Sequence, residues 1–107
     1  CFQLPSQQLE KLKKAASVYQ LPDISAIGEN GVVKLVARDK KNDTSNDFSI
    51  IVGETGDSFV FNFKEENLKI VPGTYDVIVS SKLLSKFTNQ NLDVTYYIAL
   101  EPDSTFG

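Results

Sequence analysis

The chain contains no histidine, which removes His-bearing metal triads and every acid–base or nucleophilic relay built on an imidazole. One cysteine, Cys1, cannot close an internal disulfide, and without histidine neighbours it cannot build a zinc site, so a reducing cytoplasm is the natural setting. No Gly-rich loop ending in Lys-Ser/Thr is present, so any ATP-driven step would belong to another protein. Apolar runs are strand-sized and none reaches the roughly 18 residues of a membrane-spanning helix. Positive charge is also in short supply. The formal net charge of −3 makes the average field repel phosphate and anionic lipid, so any nucleic-acid contact has to use a local basic cluster.

What is present suits one compact domain: 107 residues, 41% apolar and 10% aromatic, enough for one modest core. Phe2-Gln3-Leu4 alternates and stops at Pro5, which predicts a short strand. Ser6 is a good N-cap, and Leu9, Leu12, Ala16 and Tyr19 recur at helical spacing with Ala15 beside them, predicting a helix over Gln7–Tyr19 that ends at Leu21-Pro22. Asn30-Gly31 tolerates positive φ and joins strands Ile24–Glu29 and Val32–Arg38 in a tight hairpin. A wholly polar stretch, 39–47, reads as a solvated loop. Strands follow over Phe48–Val52 and Phe59–Phe63, with Phe59, Phe61 and Phe63 on one core-facing side. A short helix is expected over Glu65–Val71, resting on Leu68 and Val71 and stopped by Pro72-Gly73. Strands over Tyr75–Val79, Leu83–Thr88 and Val94–Glu101 complete the pattern, with a turn at Asn89-Gln90-Asn91 and a terminal tail from Pro102. The order is strand, helix, three strands, given twice. Without strict strand–helix alternation the expected class is α+β, antiparallel, with both helices packed on one side.

Successive positions on the first helix advance by about 100°, which sets Gln7, Glu10, Lys11 and Lys14 opposite the apolar stripe and Lys13 at its edge. This gives a local basic face on an acidic domain. Phosphate binding is one reading of it. Ordinary solvation is the other, with Glu10 and Lys14 paired at four-residue spacing for about 0.2–0.5 kcal/mol. Asp39, Asn42, Asp43 and Asp47 lack the glycine and terminal glutamate of a calcium loop. Glu65 and Glu66 diverge by about 100° on a helix and do not face one substrate. Asn42-Asp43-Thr44 matches a glycosylation sequon, a chance match in a cytoplasmic protein. A first residue of Cys also fits a mature extracytoplasmic lipoprotein with a β-rich binding domain, a reading that a signal peptide upstream would favour. An unrecognised enzyme would instead show a deep pocket with converging polar groups.

Phe61-Asn62-Phe63, Pro72-Gly73-Thr74-Tyr75 and Tyr97-Ile98-Ala99-Leu100-Glu101 with Asp103-Ser104-Thr105 resemble the C-terminal domain of the DNA polymerase sliding clamp of T4-type bacteriophages, a processivity factor. The resemblance covers nearly the whole chain. It implies a DNA-clamp domain of two strand-helix-three-strand units, antiparallel sheets on the outside and two helices on the inner face, forming the C-terminal half of a subunit whose N-terminal domain is absent. It implies a noncatalytic role without cofactor or metal in an infected bacterial cytoplasm, in a trimeric ring around duplex DNA, with DNA polymerase and a clamp loader as partners. It also suggests DNA-facing lysines, Lys11, Lys13, Lys14, Lys64 and Lys69, that hold phosphates without reading bases. Phe48, Ile50, Ile51 and Val52 would form the strand edge that meets a neighbouring subunit, unless that strand is central and buried. Tyr97, Ile98, Ala99 and Leu100 would form the pocket for a partner's peptide, unless they are ordinary core.

Overall fold

The computed structural model describes residues 2–39 and 48–106. Cys1 and most of the polar stretch, including the sequon and three of the four residues weighed for calcium, lie outside them. The element order is β1 (Phe2–Leu4), α1 (Ser6–Val18), β2 (Asp23–Glu29), β3 (Val32–Arg38), β4 (Phe48–Glu54), β5 (Phe59–Lys64), β6 (Tyr75–Ser80), β7 (Leu84–Asn89) and β8 (Thr95–Ala99). All strand pairs are antiparallel and form two four-stranded sheets, β1-β6-β7-β8 and β4-β3-β2-β5. The α+β class and the paired-unit plan follow the sequence expectation.

The core is where the inner faces of both sheets meet the apolar stripe of α1. Leu9, Leu12 and Ala16 are buried on the helix, together with Ile24, Ala26, Leu35, Phe61 and Phe63 of the second sheet and Tyr75, Val77, Phe87 and Ile98 of the first. Each fully buried leucine contributes about 2 kcal/mol of transfer free energy. Phe63 of β5 meets Phe87 of β7 edge-on at 5.9 Å, which joins the two sheets. The helix lies against β3 and β4, so the side that carries its lysines is left to solvent.

The predicted hairpin forms at Asn30-Gly31, where φ is +52° and +85°, the two positive values a primed turn needs. Both ends of α1 differ in detail from expectation. Pro5 occupies the cap position and Ser6 is already helical; the Ser6 N–H donates to the Thr74 side-chain oxygen at 3.1 Å. The helix stops at Val18 rather than Tyr19 because Gln20 turns left-handed at φ +54°, which lets Gln20 N–H reach Ser17 O and Leu21 N–H reach Ala16 O at 2.8 Å. Leu21 is then buried beside the helix it has just ended.

The second expected helix is corrected to one 3-10 turn, Glu65–Leu68. The apolar residues that find the core there are Leu68 and Ile70, two apart, while Val71 stays exposed. A two-residue spacing suits extended chain, and the backbone leaves helical geometry at Lys69 (φ −83°, ψ +71°). Two tyrosines then hold the segment: Tyr75 OH donates to Val71 O at 2.6 Å and Val71 N–H donates to the Tyr96 oxygen at 3.2 Å. Among the described residues α1 is therefore the one α-helix, where two were expected.

Candidate functional site

Three surfaces follow from this architecture. The first is the outer face of α1. Burial of Leu9, Leu12 and Ala16 forces Lys11 and Lys14 into solvent and leaves Lys13 half-buried. Among the described residues none of the three is drawn into an ion pair, so the Glu10–Lys14 pairing open to the sequence is not made. Lys11 and Lys14 also border a hollow of about 320 Å³ that they share with Ala15, Val18, Tyr19 and Phe48.

Lys64 has different surroundings. It closes β5 opposite Asp23 on β2, and strand alternation turns both side chains away from the core face that Ile24 and Phe63 occupy. Its Nζ lies 3.0 Å from Asp23 Oδ1 and 3.4 Å from Glu101 Oε1. The hydrogen bond and charge of Asp23, then those of Glu101, hold the ammonium pKa above the ordinary 10.5. Asp23, almost wholly buried, is a partner that local sequence pattern does not reveal, because 41 positions separate the two. Lys69 is exposed just beyond the 3-10 turn. In place of the expected helix, Lys64 and Lys69 flank the 3-10 turn as the residues before and after it.

The second surface is β4. It is the outermost strand of its sheet, with β3 on one side and, among the described residues, no strand on the other. The central-strand alternative for Phe48–Val52 is thereby set aside. Phe48, Ile50 and Val52 are half-buried against the core, whereas Ile51 points outward, 59% exposed. Val52 has no partner between the pairs Val33–Gly53 and Lys34–Ile51, so a bulge bends this edge.

The third surface is the outside of the first sheet. Alternation splits the four residues expected in a pocket: Ile98 and Leu100 are buried in the core, whereas Tyr97 is 66% exposed and Ala99 lies beside it on the outer face. For Ile98 and Leu100 the core reading holds. Across the strands, Ala99 pairs with Leu84, Tyr97 with Lys86, and Lys86 with Ile78. Ile78 and Leu84 are exposed too, so Ile78, Leu84, Tyr97 and Ala99 make one outward apolar patch around the Lys86 stem. Sequence reasoning missed Ile78 and Leu84. Their signal was present: each is an apolar residue at a strand position whose neighbours, Val77 and Val79 or Ser85, already face the core.

Among the described residues no three His, Cys, Asp or Glu side chains come together in a way that could hold a metal ion. The interior hollow among Phe2, Leu9, Phe63 and Phe87 leaves about 10 Å³ and is lined by apolar groups throughout. No described helix is long and apolar enough to cross a membrane.

Comparison with known proteins adds a family. A family model described as the gp45 sliding clamp, C terminal, matches residues 1–102. A curated protein named sliding clamp, from Vibrio phage KVP40, is 35% identical over 104 residues, which cover 94% of this chain and 46% of that protein. The chain thus spans about half the length of the curated relative it matches.

Proposed function

Since this chain belongs to the gp45 sliding clamp family and matches its C-terminal part, we propose that it is the C-terminal domain of a clamp subunit that tethers DNA polymerase to duplex DNA by enclosure. The role is noncatalytic. Three subunits close a ring in the cytoplasm of the infected bacterium, a clamp loader opens it, and the domain contributes one wall. The observation that carries this reading is the α1 face. Its stripe is buried, and Lys11, Lys13 and Lys14 stand outside any ion pair among the described residues, on a helix whose one carboxylate is Glu10, in an otherwise acidic chain. Such lysines hold phosphates diffusely and interchangeably, which permits sliding because no base edge is read. Lys64 is the weaker contributor to this wall, since it already has two acidic partners, while the exposed Lys69 stays in it.

The other two surfaces fit the same role. An edge strand with no strand on its outer side among the described residues, and an outward Ile51, supplies a template for pairing with the next subunit. The patch of Ile78, Leu84, Tyr97 and Ala99 offers apolar anchorage for a polymerase or loader peptide, with Lys86 available to a carboxylate.

The test is replacement of Lys11, Lys13 and Lys14 by Gln in the assembled clamp. Each lost phosphate contact lowers the slope of log K against log salt by roughly 0.9, so the triple variant should lose up to about 2.7 per domain. Processive synthesis by the clamp-dependent polymerase should shorten, and the far-UV spectrum should not change. An unaltered salt slope with unaltered processivity removes these lysines from the wall and the wall from the proposal. The 107-residue chain alone, which encloses nothing, should bind duplex DNA poorly at physiological salt. Tight binding by the monomer contradicts enclosure.

A further inference from the structure

The second sheet has two outer strands, and they are treated differently. β4 has no strand on its outer side among the described residues, while the outer side of β5 is occupied by the segment 101–106. In an antiparallel strand the backbone groups of alternate residues point to opposite neighbours; on β5 those of Val60 and Asn62 point away from β2. All four are taken. Val60 N–H donates to Thr105 O at 3.0 Å and Thr105 N–H returns a bond to Val60 O at 2.7 Å. Asn62 N–H donates to Ser104 Oγ at 2.9 Å, and Glu101 N–H donates to Asn62 O at 2.7 Å.

Side chains fasten the same segment. Asn62 is almost wholly buried and uses both ends of its amide: Nδ2 donates to Asp103 Oδ1 at 3.1 Å, and Oδ1 accepts from Ser25 Oγ, which in turn accepts from Arg38 Nη2 at 3.0 Å. Glu101 pairs with Lys64 at 3.4 Å, and the Phe106 ring lies 5.2 Å from that of Phe61. A chain held by one β-bridge alone would fray. This one is held at five consecutive non-proline positions, 101 and 103–106.

An unpaired strand edge invites pairing with any extended chain, another copy included. We propose that residues 101–106 are a strap that closes the β5 edge against strand addition, so that the second sheet can be extended by another polypeptide only at β4. The inference goes beyond the clamp reading and does not need it. It predicts that lifting the strap creates a second mode of self-association.

The experiment uses the chain with Asp103→Ala, Ser104→Ala and Thr105→Pro, all at positions outside the core. Amide hydrogen exchange at Val60 and Asn62 should accelerate on the order of tenfold or more. Sedimentation velocity over a concentration series should show species absent from the parent. They should persist when Ile51→Lys blocks β4 and disappear when Val60→Pro removes the outward N–H of β5. Unchanged protection of Val60 overturns the proposal, because the edge is then not covered by these bonds. So does fast exchange without new association, or association that Ile51→Lys abolishes and Val60→Pro does not. Should the triple variant fail to fold, Thr105→Pro alone removes one of the two bridging bonds and carries the same comparison.

Discussion

Gly28 on β2 sits directly across from Phe59 on β5, and the aromatic ring lies flat over the space a side chain would need. A Cβ built on Gly28 falls 2.4 Å from Phe59 Cε2, 2.7 Å from Cδ2 and 2.8 Å from Cζ. Ordinary contact begins near 3.4 Å, so in Gly28→Ala the ring must retreat by about 1 Å. It has little freedom to do so. Phe59 is stacked on Phe61 at 4.2 Å with planes 12° apart, and the Phe2 ring, nearly parallel to it, lies 6.4 Å away. Overpacking of this kind costs about 1–3 kcal/mol, and disturbing the stack adds part of the 0.5–1.5 kcal/mol an aromatic pair contributes. Replacing Gly by Ala in a strand returns about 0.5–1 kcal/mol.

The net expectation is destabilisation of about 1–3 kcal/mol, or a fall in Tm of about 5–15 °C for a domain of this size. Urea and thermal unfolding followed by circular dichroism measure it. Gly53→Ala on β4 is the control, since its Cβ would meet no atom within 4 Å and its stability should match or slightly exceed the parent's. A double-mutant cycle identifies the cause: in a Phe59→Ala background the Gly28→Ala penalty should shrink below about 0.5 kcal/mol. The reasoning is refuted if Gly28→Ala lies within about 0.5 kcal/mol of the parent, or if its penalty is the same with and without the ring.

Thr74→Ala removes the oxygen that accepts the first helical N–H and should cost about 1 kcal/mol in the same unfolding assay, while Thr74→Ser should retain stability. The Lys64 cluster predicts a pH dependence of definite sign. Because the folded pKa is raised, its contribution is fully present below the unfolded value near 10.5 and fades as pH climbs through the higher folded value. Unfolding free energy should therefore decline along that alkaline limb in the parent and decline less in Lys64→Met. An equal slope in both would detach Lys64 from the effect.

What the sequence made legible was whatever depends on neighbours along the chain. Alternation gave the strands, helical spacing gave the α1 stripe and its opposing lysines, and Asn30-Gly31 gave a turn that forms with the φ values its residues favour. The same alternation separates Tyr97 and Ala99 from Ile98 and Leu100. What it could not give was decided by residues far apart. Ser6 looks like a cap, yet Pro5 takes the cap position and the Ser6 N–H is satisfied by Thr74, 68 positions on. Ile50-Ile51-Val52 has the composition of a buried strand, and only the pairing order reveals an edge. The expected second helix failed because Leu68 and Ile70, not Leu68 and Val71, found the core.

Polar residues inside apolar runs were the signal left unread. Asn62 stands between two core phenylalanines, and Ser25 lies within β2 next to Ile24 and Ala26. A buried amide or hydroxyl at such a position costs free energy unless a partner reaches it, so each one implies a second segment laid against that face or edge. For Asn62 the partner is the stretch Glu101–Phe106, whose acidic and hydroxyl groups by themselves suggest only a solvated end. Reading the two together gives the strap: the motif Phe61-Asn62-Phe63 directs two rings to the core and one amide to a chain that must lie beside β5. Asn62→Leu separates this account from simple core packing. The larger apolar side chain keeps the strand hydrophobic but cannot hold Asp103, so the strap account expects faster amide exchange at Thr105 with β2–β5 pairing intact, whereas a packing role alone would leave Thr105 protected.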